Sequence, residues 1–268
     1  MSNPPSTGST GHSSSSEHEA LVRDQFSRQA ESFARSPELH DAAQLALLVD
    51  AARPQLGDVA LDIACGPGTV VAAFAARVRR AIGLDATEAM LDQARDLARR
   101  QNLVNVEWHT GDAYRLPFTD GAFDIVTCRF AFHHFEAPDK ALAEMSRVCR
   151  SGGRVVVCDA VAPADPAKAA AFNAMERHRD PSTAAFQPLS ALLGLFAAAG
   201  LPSPAIVRFQ VAYERERQIE KSFPANGDRE TLRRMLDALI ADDAMEMGTV
   251  AGGTKFIYPA VVLTAAKP

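Results

Sequence analysis

Residues 61–70 read LDIACGPGTV, and 15 residues further on the run AIGLD closes on a second acid. Gly66 and Gly68 reach backbone angles closed to other residues, and without side chains they let a ligand lie against the main chain. The helix expected after them offers free N–H groups, suited to a carboxylate or a phosphate. Asp85, at the end of the next strand, can accept hydrogen bonds from both hydroxyls of a ribose. These residues together ask for a nucleoside with a charged group attached. A dinucleotide turn would read GxGxxG, its third glycine allowing close helix–strand packing. Here the third position is Val71, and Asp62 stands ahead of the turn, where a pyrophosphate would be repelled. An acid there suits an ammonium group. S-adenosylmethionine carries an ammonium, a carboxylate, a ribose, an adenine and a cationic sulfur, and is the favoured ligand. A nicotinamide-dependent oxidoreductase and a non-catalytic nucleoside-cofactor-binding protein remain the alternatives.

Proton-transfer candidates are fewer. His133 and His134 follow the apolar run FDIVTCRF, at an edge where open α/β sheets bind ligands. His178 lies between Glu176 and Asp180 in ERHRD, and His40 stands alone. Adjacent side chains point different ways, so at most one of the tandem pair faces an acceptor; either is a candidate general base, with packing as the competing role. Neighbours in sequence lack the i, i+4 spacing that puts two ligands on one helix face, and no metal is expected. Methyl transfer from a sulfonium chiefly needs alignment and exclusion of water. A base is required only when the nucleophile arrives protonated and weakly acidic.

Alternating strands and helices must position these groups. Apolar runs at 59–64, 80–85, 106–110, 123–130 and 154–161 read as strands, separated by amphipathic helices at 70–78, 87–101 and 140–150. Near-continuous apolar strands with helical connections predict a parallel sheet covered on both faces. Helices at 166–178, 189–199 and 229–243 and strands at 205–213 and 255–266 complete the chain. Pro259 demotes the last strand toward an edge or a bulge. At the other end, residues 1–17 are Ser-, Gly- and Pro-rich and predict a disordered tail. One domain over 18–268 follows, with two N-terminal helices split by ARSPE.

The motifs also resemble a family. LDIACGPGT is similar to motif I of the class I S-adenosylmethionine-dependent methyltransferases. The resemblance continues through GLDATEAML (83–91), GDAYRLPFTDGAFDIVTCRFAFHHF (111–135) and EMSRVCRSGGRVVVCD (144–159). The nearest pattern is the small-molecule branch that resembles the ubiquinone/menaquinone-biosynthesis C-methyltransferases. It implies a Rossmann-like, seven-stranded, mostly parallel sheet with an antiparallel last strand, helices on both faces and a helical lid. It also implies S-adenosyl-L-methionine as cofactor and S-adenosyl-L-homocysteine as product. Asp62, Ala64, Gly66 and Gly68 then match the positions around the methionine end, and Asp85 matches the ribose acid. Ala86 and Met90 would border the adenine, Asp112 and Ala113 would meet its edge, and the Arg129 carbonyl would face the amino group. Segments 19–50, 162–188 and 216–250 are the candidate lids. Phe33 and Arg35 resemble an aromatic-basic element that closes over the cofactor, and His178 is grouped with them on the acceptor side.

Bulk properties limit the partners. Net charge is −5, and Lys and Arg are interspersed with acids, leaving no basic stripe for a phosphate backbone. Asn3-Pro4-Pro5-Ser6 resembles the signature of adenine-methylating DNA enzymes, but it lies in the tail and lacks the aromatic residue. The expected acceptor is therefore a small molecule and not nucleic acid. No run approaches the roughly 20 apolar residues of a membrane span. Cys65, Cys128, Cys149 and Cys158 form no CxxC pair and suit a reducing cytoplasm. A homodimer is left open.

Overall fold

A computed structural model describes residues 13–37, 40–242, 249–250, 253 and 255–268. Seven strands lie in the order β3-β2-β1-β4-β5-β8-β6, and a two-residue strand, β7 (Thr249–Val250), pairs with the start of β8. Strands β1 (Val59–Ile63), β2 (Arg80–Asp85), β3 (Val106–Thr110), β4 (Phe123–Arg129) and β5 (Cys149–Ala160) pair in parallel. The last strand, β8 (Lys255–Ala266), is antiparallel both to β5 and to β6 (Ala205–Glu214).

Alternation along the strands splits the core between two faces. Val155 and Val157 of β5 join Leu142 and Met145 of α5 (Pro138–Val148) and Leu192 and Phe196 of α7 (Leu189–Ala198). Val156 and Cys158 join the opposite layer, with Leu48 of α2 (Ala42–Ala52), Phe74 of α3 (Thr69–Ala75) and Leu91 of α4 (Glu88–Arg100). Helix α4 shows why such segments fold. Met90, Leu91, Ala94, Leu97 and Ala98 make one buried stripe, Glu88 lies in its first turn, and Arg99 and Arg100 lie in its last. A third cluster joins α6 (Pro166–Arg179), α8 (Arg215–Lys221) and α9 (Arg229–Ala241) to Phe256 and Tyr258 of β8.

Three expectations change. The tail assigned to 1–17 is too long: Ser13–Glu17 open helix α1 (Ser13–Ala34), while residues 1–12 lie outside the described residues. The last strand is not an edge. Pro259 sits just past the end of β5, opposite Gln210 of β6, and its carbonyl accepts from the Val161 N–H at 2.9 Å. Its missing N–H thus falls where the β5 ladder has already stopped, so proline is tolerated within an interior strand. Of the lid expected over 19–50, α1 and Ser36 just after it reach a cavity, and α2 does not. Leu48, Val49 and Ala52 of α2 are buried in the core. Residues 243–248, within the third lid segment, lie outside the described residues.

Candidate cofactor and acceptor site

The strand order reverses between β1 and β4, and ligands of open α/β sheets bind at such a switch point. Two non-glycine residues with left-handed backbone mark it: Ala64 after β1 (φ 51°) and Phe130 after β4 (φ 52°). Such angles persist only where surrounding structure enforces them, and they gather at functional sites. Above the switch point lies a cavity of about 350 Å³, walled by the ends of β1 to β4 and by α1.

Asp62 is buried, and its Oδ1 accepts from the Thr127 hydroxyl at 2.6 Å. Burial pushes its carboxyl up to about 7, against the Thr127 hydrogen bond and the Arg129 charge. A buried carboxylate in that condition is matched to an incoming cation. Asp85 accepts from the Gly66 N–H at 2.8 Å and the Thr87 N–H at 2.9 Å. Burial raises its carboxyl as well, and those N–H groups pull it back. Gly66 has φ 51°, and a Cβ placed there would meet nothing within 4 Å, so open space lies beside the turn. Gly68 is different. It caps α3 at φ 80°, and a Cβ there would come within 2.5 Å of the Trp108 ring, which also lies against Gly83.

Asp62, Ala64, Gly66, Asp85, Ala86, Met90, Asp112, Ala113 and Arg129 all line the cavity. Asp112 also fixes its own turn, accepting from the Tyr114 N–H at 2.8 Å. Gly68 does not line the cavity; its place is against Trp108. From α1 come His18, Glu19, Val22, Arg23, Phe26 and Phe33, of which only Phe33 is legible as a site residue in the sequence. The rest carry no motif, because helix α1 reaches the cavity only through tertiary packing.

A second cavity, of about 110 Å³, adjoins the first and shares Phe26, Phe33, Phe130 and His134 with it. The tandem histidines part here. His134 Nδ1–H donates to the Ser182 carbonyl at 2.9 Å, and the Ser182 hydroxyl donates to Asp180 at 2.5 Å. His18 Nε2–H reaches the His134 carbonyl at 2.9 Å, tying α1 across the junction. Burial and the neighbouring His133 push the His134 imidazole down to about 3, which keeps it neutral. His133 borders only the second cavity, stacks on Phe186 at 4.0 Å, and directs Nδ1 at both oxygens of Asp159, 2.9 and 3.0 Å away. Asp159 could have been found in the sequence: like Asp62 and Asp85, it is an acid at the end of an apolar strand.

Two expected acceptor-side residues lie elsewhere. Arg35 is exposed and pairs with Glu31 at 2.6 Å, one helical turn away. His178 Nε2–H donates to the Asp228 carbonyl at 2.9 Å, joining α6 to the start of α9. Neither lines either of these two cavities.

Residues 61–157 match a family model described as a methyltransferase domain. An uncharacterized methyltransferase, YcgJ of Bacillus subtilis (strain 168), is 32% identical over 222 residues, covering 82% of this chain and 87% of that protein. Its crystal structure superposes with a TM-score of 0.76, covering 84% of this chain and 98% of the other. The chain belongs to the class I S-adenosylmethionine-dependent methyltransferases. A ubiquinone/menaquinone biosynthesis C-methyltransferase of Roseobacter denitrificans is 36% identical to this methyltransferase over 129 residues, spanning 52% of that protein. The cofactor of the methyltransferase is S-adenosyl-L-methionine, and its site fits that molecule. Asp62 would take the ammonium and Asp85 the ribose hydroxyls, Gly66 leaves the turn open, and Met90 with Ala113 would offer apolar contact to the adenine. The bound cofactor supplies an electrophilic methyl group. Among the described residues no helix is long and apolar enough to cross a membrane.

Proposed function

We propose that this methyltransferase passes its methyl group to a small molecule seated in the second cavity, by in-line displacement. One observation carries the reading. The two cavities meet at Phe26, Phe33, Phe130 and His134, so a donor in one and an acceptor in the other come together at a shared apolar wall. In-line transfer needs donor and acceptor opposed with water kept out, and a junction of this kind supports both. A nucleic-acid acceptor is disfavoured by the net charge of −5. A cytoplasmic setting accords with the four cysteines, all buried and unpaired.

The test separates binding from transfer. Ala160 lines only the second cavity, and Ala160→Leu should fill part of it. Cofactor affinity by calorimetry should change less than about twofold, while transfer of labelled methyl to small-molecule fractions of a cell extract should fall more than about tenfold. Label entering only protein or nucleic acid, in wild type, would exclude the reading.

A further inference from the structure

The second cavity restricts what the acceptor can be. Its volume of about 110 Å³ is close to that of an apolar cavity, about 150 Å³, that holds one benzene ring. Phe26, Phe33, Phe130 and Phe186 supply flat apolar walls, which suits a ring. Charge restricts it further. Arg179, paired with the buried Glu176 at 2.8 Å, and Lys221 border the cavity with the carboxylate of Asp180, and the cofactor carries a sulfonium. An ammonium acceptor would bring a second positive charge up to that sulfonium. An acceptor that develops negative charge as it reacts would be stabilised by it.

A proton acceptor is also present. A carboxylate only accepts hydrogen bonds when ionised, so the His133 nitrogen facing both Asp159 oxygens carries a proton, and in the neutral ring the lone pair is then on Nε2. Asp159 is itself fixed by the His133 and Ala160 N–H groups, at 3.0 and 2.8 Å. Stacking on Phe186 holds the ring plane. An imidazole held in one tautomer by a buried carboxylate is the arrangement that stabilises an imidazolium formed during reaction. His134 lacks a direct carboxylate partner: its Nδ1 faces the Ser182 carbonyl and hydroxyl, at 2.9 and 3.2 Å.

Resting on the small-molecule reading above, we propose that the second cavity takes a single-ring acceptor with a weakly acidic hydroxyl, a phenol or a ring enol. His133 is the general base and Asp159 the residue that positions it. The hydroxyl proton passes to His133 Nε2 as the oxygen bonds to the methyl carbon. The electron pair of the methyl–sulfur bond stays on sulfur, leaving a neutral thioether and an ether product. The imidazolium then returns its proton to solvent. A two-ring acceptor exceeds the cavity, and an aromatic thiol, acidic enough to ionise near neutral pH, would need no such base.

The proposal is tested with S-adenosylmethionine and a set of probes: phenol, catechol, 4-nitrophenol, 1-naphthol, thiophenol and benzylamine. Mass spectrometry identifies the methylated atom. Wild type should O-methylate the single-ring hydroxyls and disfavour 1-naphthol. His133→Ala should lower kcat on phenol about 100-fold or more. On 4-nitrophenol, already largely ionised at about pH 8, it should lose far less, and added imidazole should restore part of the rate on phenol. Asp159→Asn should lower kcat with little change in KM. In the cofactor-free protein, ring nitrogen–proton correlation spectra should show the Nδ1–H form at His133 in wild type and a mixture of forms in Asp159→Asn. That readout serves even if His133→Ala does not fold.

Equal losses on phenol and 4-nitrophenol in a folded His133→Ala variant would reduce His133 to packing and overturn the base. Methylation of benzylamine or thiophenol in preference to every hydroxyl probe would overturn the acceptor class while leaving the small-molecule reading intact. Transfer to small molecules of an extract but to none of these probes would do the same. Transfer to macromolecules alone would end both readings.

Discussion

With Asp62 as the partner of the cofactor's ammonium, its protonation and cofactor binding would be linked. With its carboxyl pushed up to about 7, it is largely protonated below neutrality in the cofactor-free protein. An ammonium group binds the ionised form, so affinity should be full above about pH 7 and fall by up to about tenfold per unit below it. Calorimetry from pH 5.5 to 8.5 checks this, and Asp62→Asn should bind weakly with a flat profile. Folding of the cofactor-free chain responds in the opposite sense. An unfolded Asp62 ionises near 3.8, well before the folded one, so this group makes folding less favourable as pH rises from about 4 to about 7. Asp62 and Asp85 were legible because each acid ends an apolar strand beside a glycine turn. The His133–Asp159 pair was only half legible. Asp159 is 26 positions away, and it meets His133 only because β4 and β5 pair in the register Arg129↔Cys158.

At the scale of elements, the turn between β1 and α3 has the least freedom. Gly68→Ala would force a side chain into φ 80° and within 2.5 Å of the Trp108 ring. Destabilisation of about 2 kcal/mol or more is expected, read by urea unfolding. Gly66→Ala meets open space and suffers only the strain of φ 51°, so it should cost less stability while intruding on the cofactor's approach. The parallel strands and their helices could be read from apolar runs because each is patterned along its own sequence. The α1 residues that wall the cavity, Phe33 apart, could not, although the segment was expected as a lid. His18, Val22 and Phe26 become site residues only when α1 packs beside α4 along the cavity, and no local period encodes that contact. Pro259 shows the same limit in reverse: a local rule against proline in interior strands fails because β5 ends one residue earlier.

For the whole molecule, cofactor and fold are linked at the sheet's switch point. S-adenosylmethionine at 100 times its dissociation constant should add about 2.7 kcal/mol to stability. In a chain of this size that raises the melting temperature by about 5–10 °C. Because Asp62 must ionise to bind, the rise at a fixed cofactor concentration should be larger at pH 8 than at pH 6, and calorimetric melts at the two values test it. The alternation of elements made the parallel sheet legible at this scale. The second cavity was not, since α6, α8 and β8 build its walls from segments up to about 80 positions apart. Trp108, packed beneath the turn at Gly68 and Gly83, has one more consequence. It is the only tryptophan in the chain, so the methyltransferase carries a single indole fluorophore directly under its cofactor loop. Its emission should change as the loop takes up its ligand, giving an optical gauge of occupancy that needs no added dye.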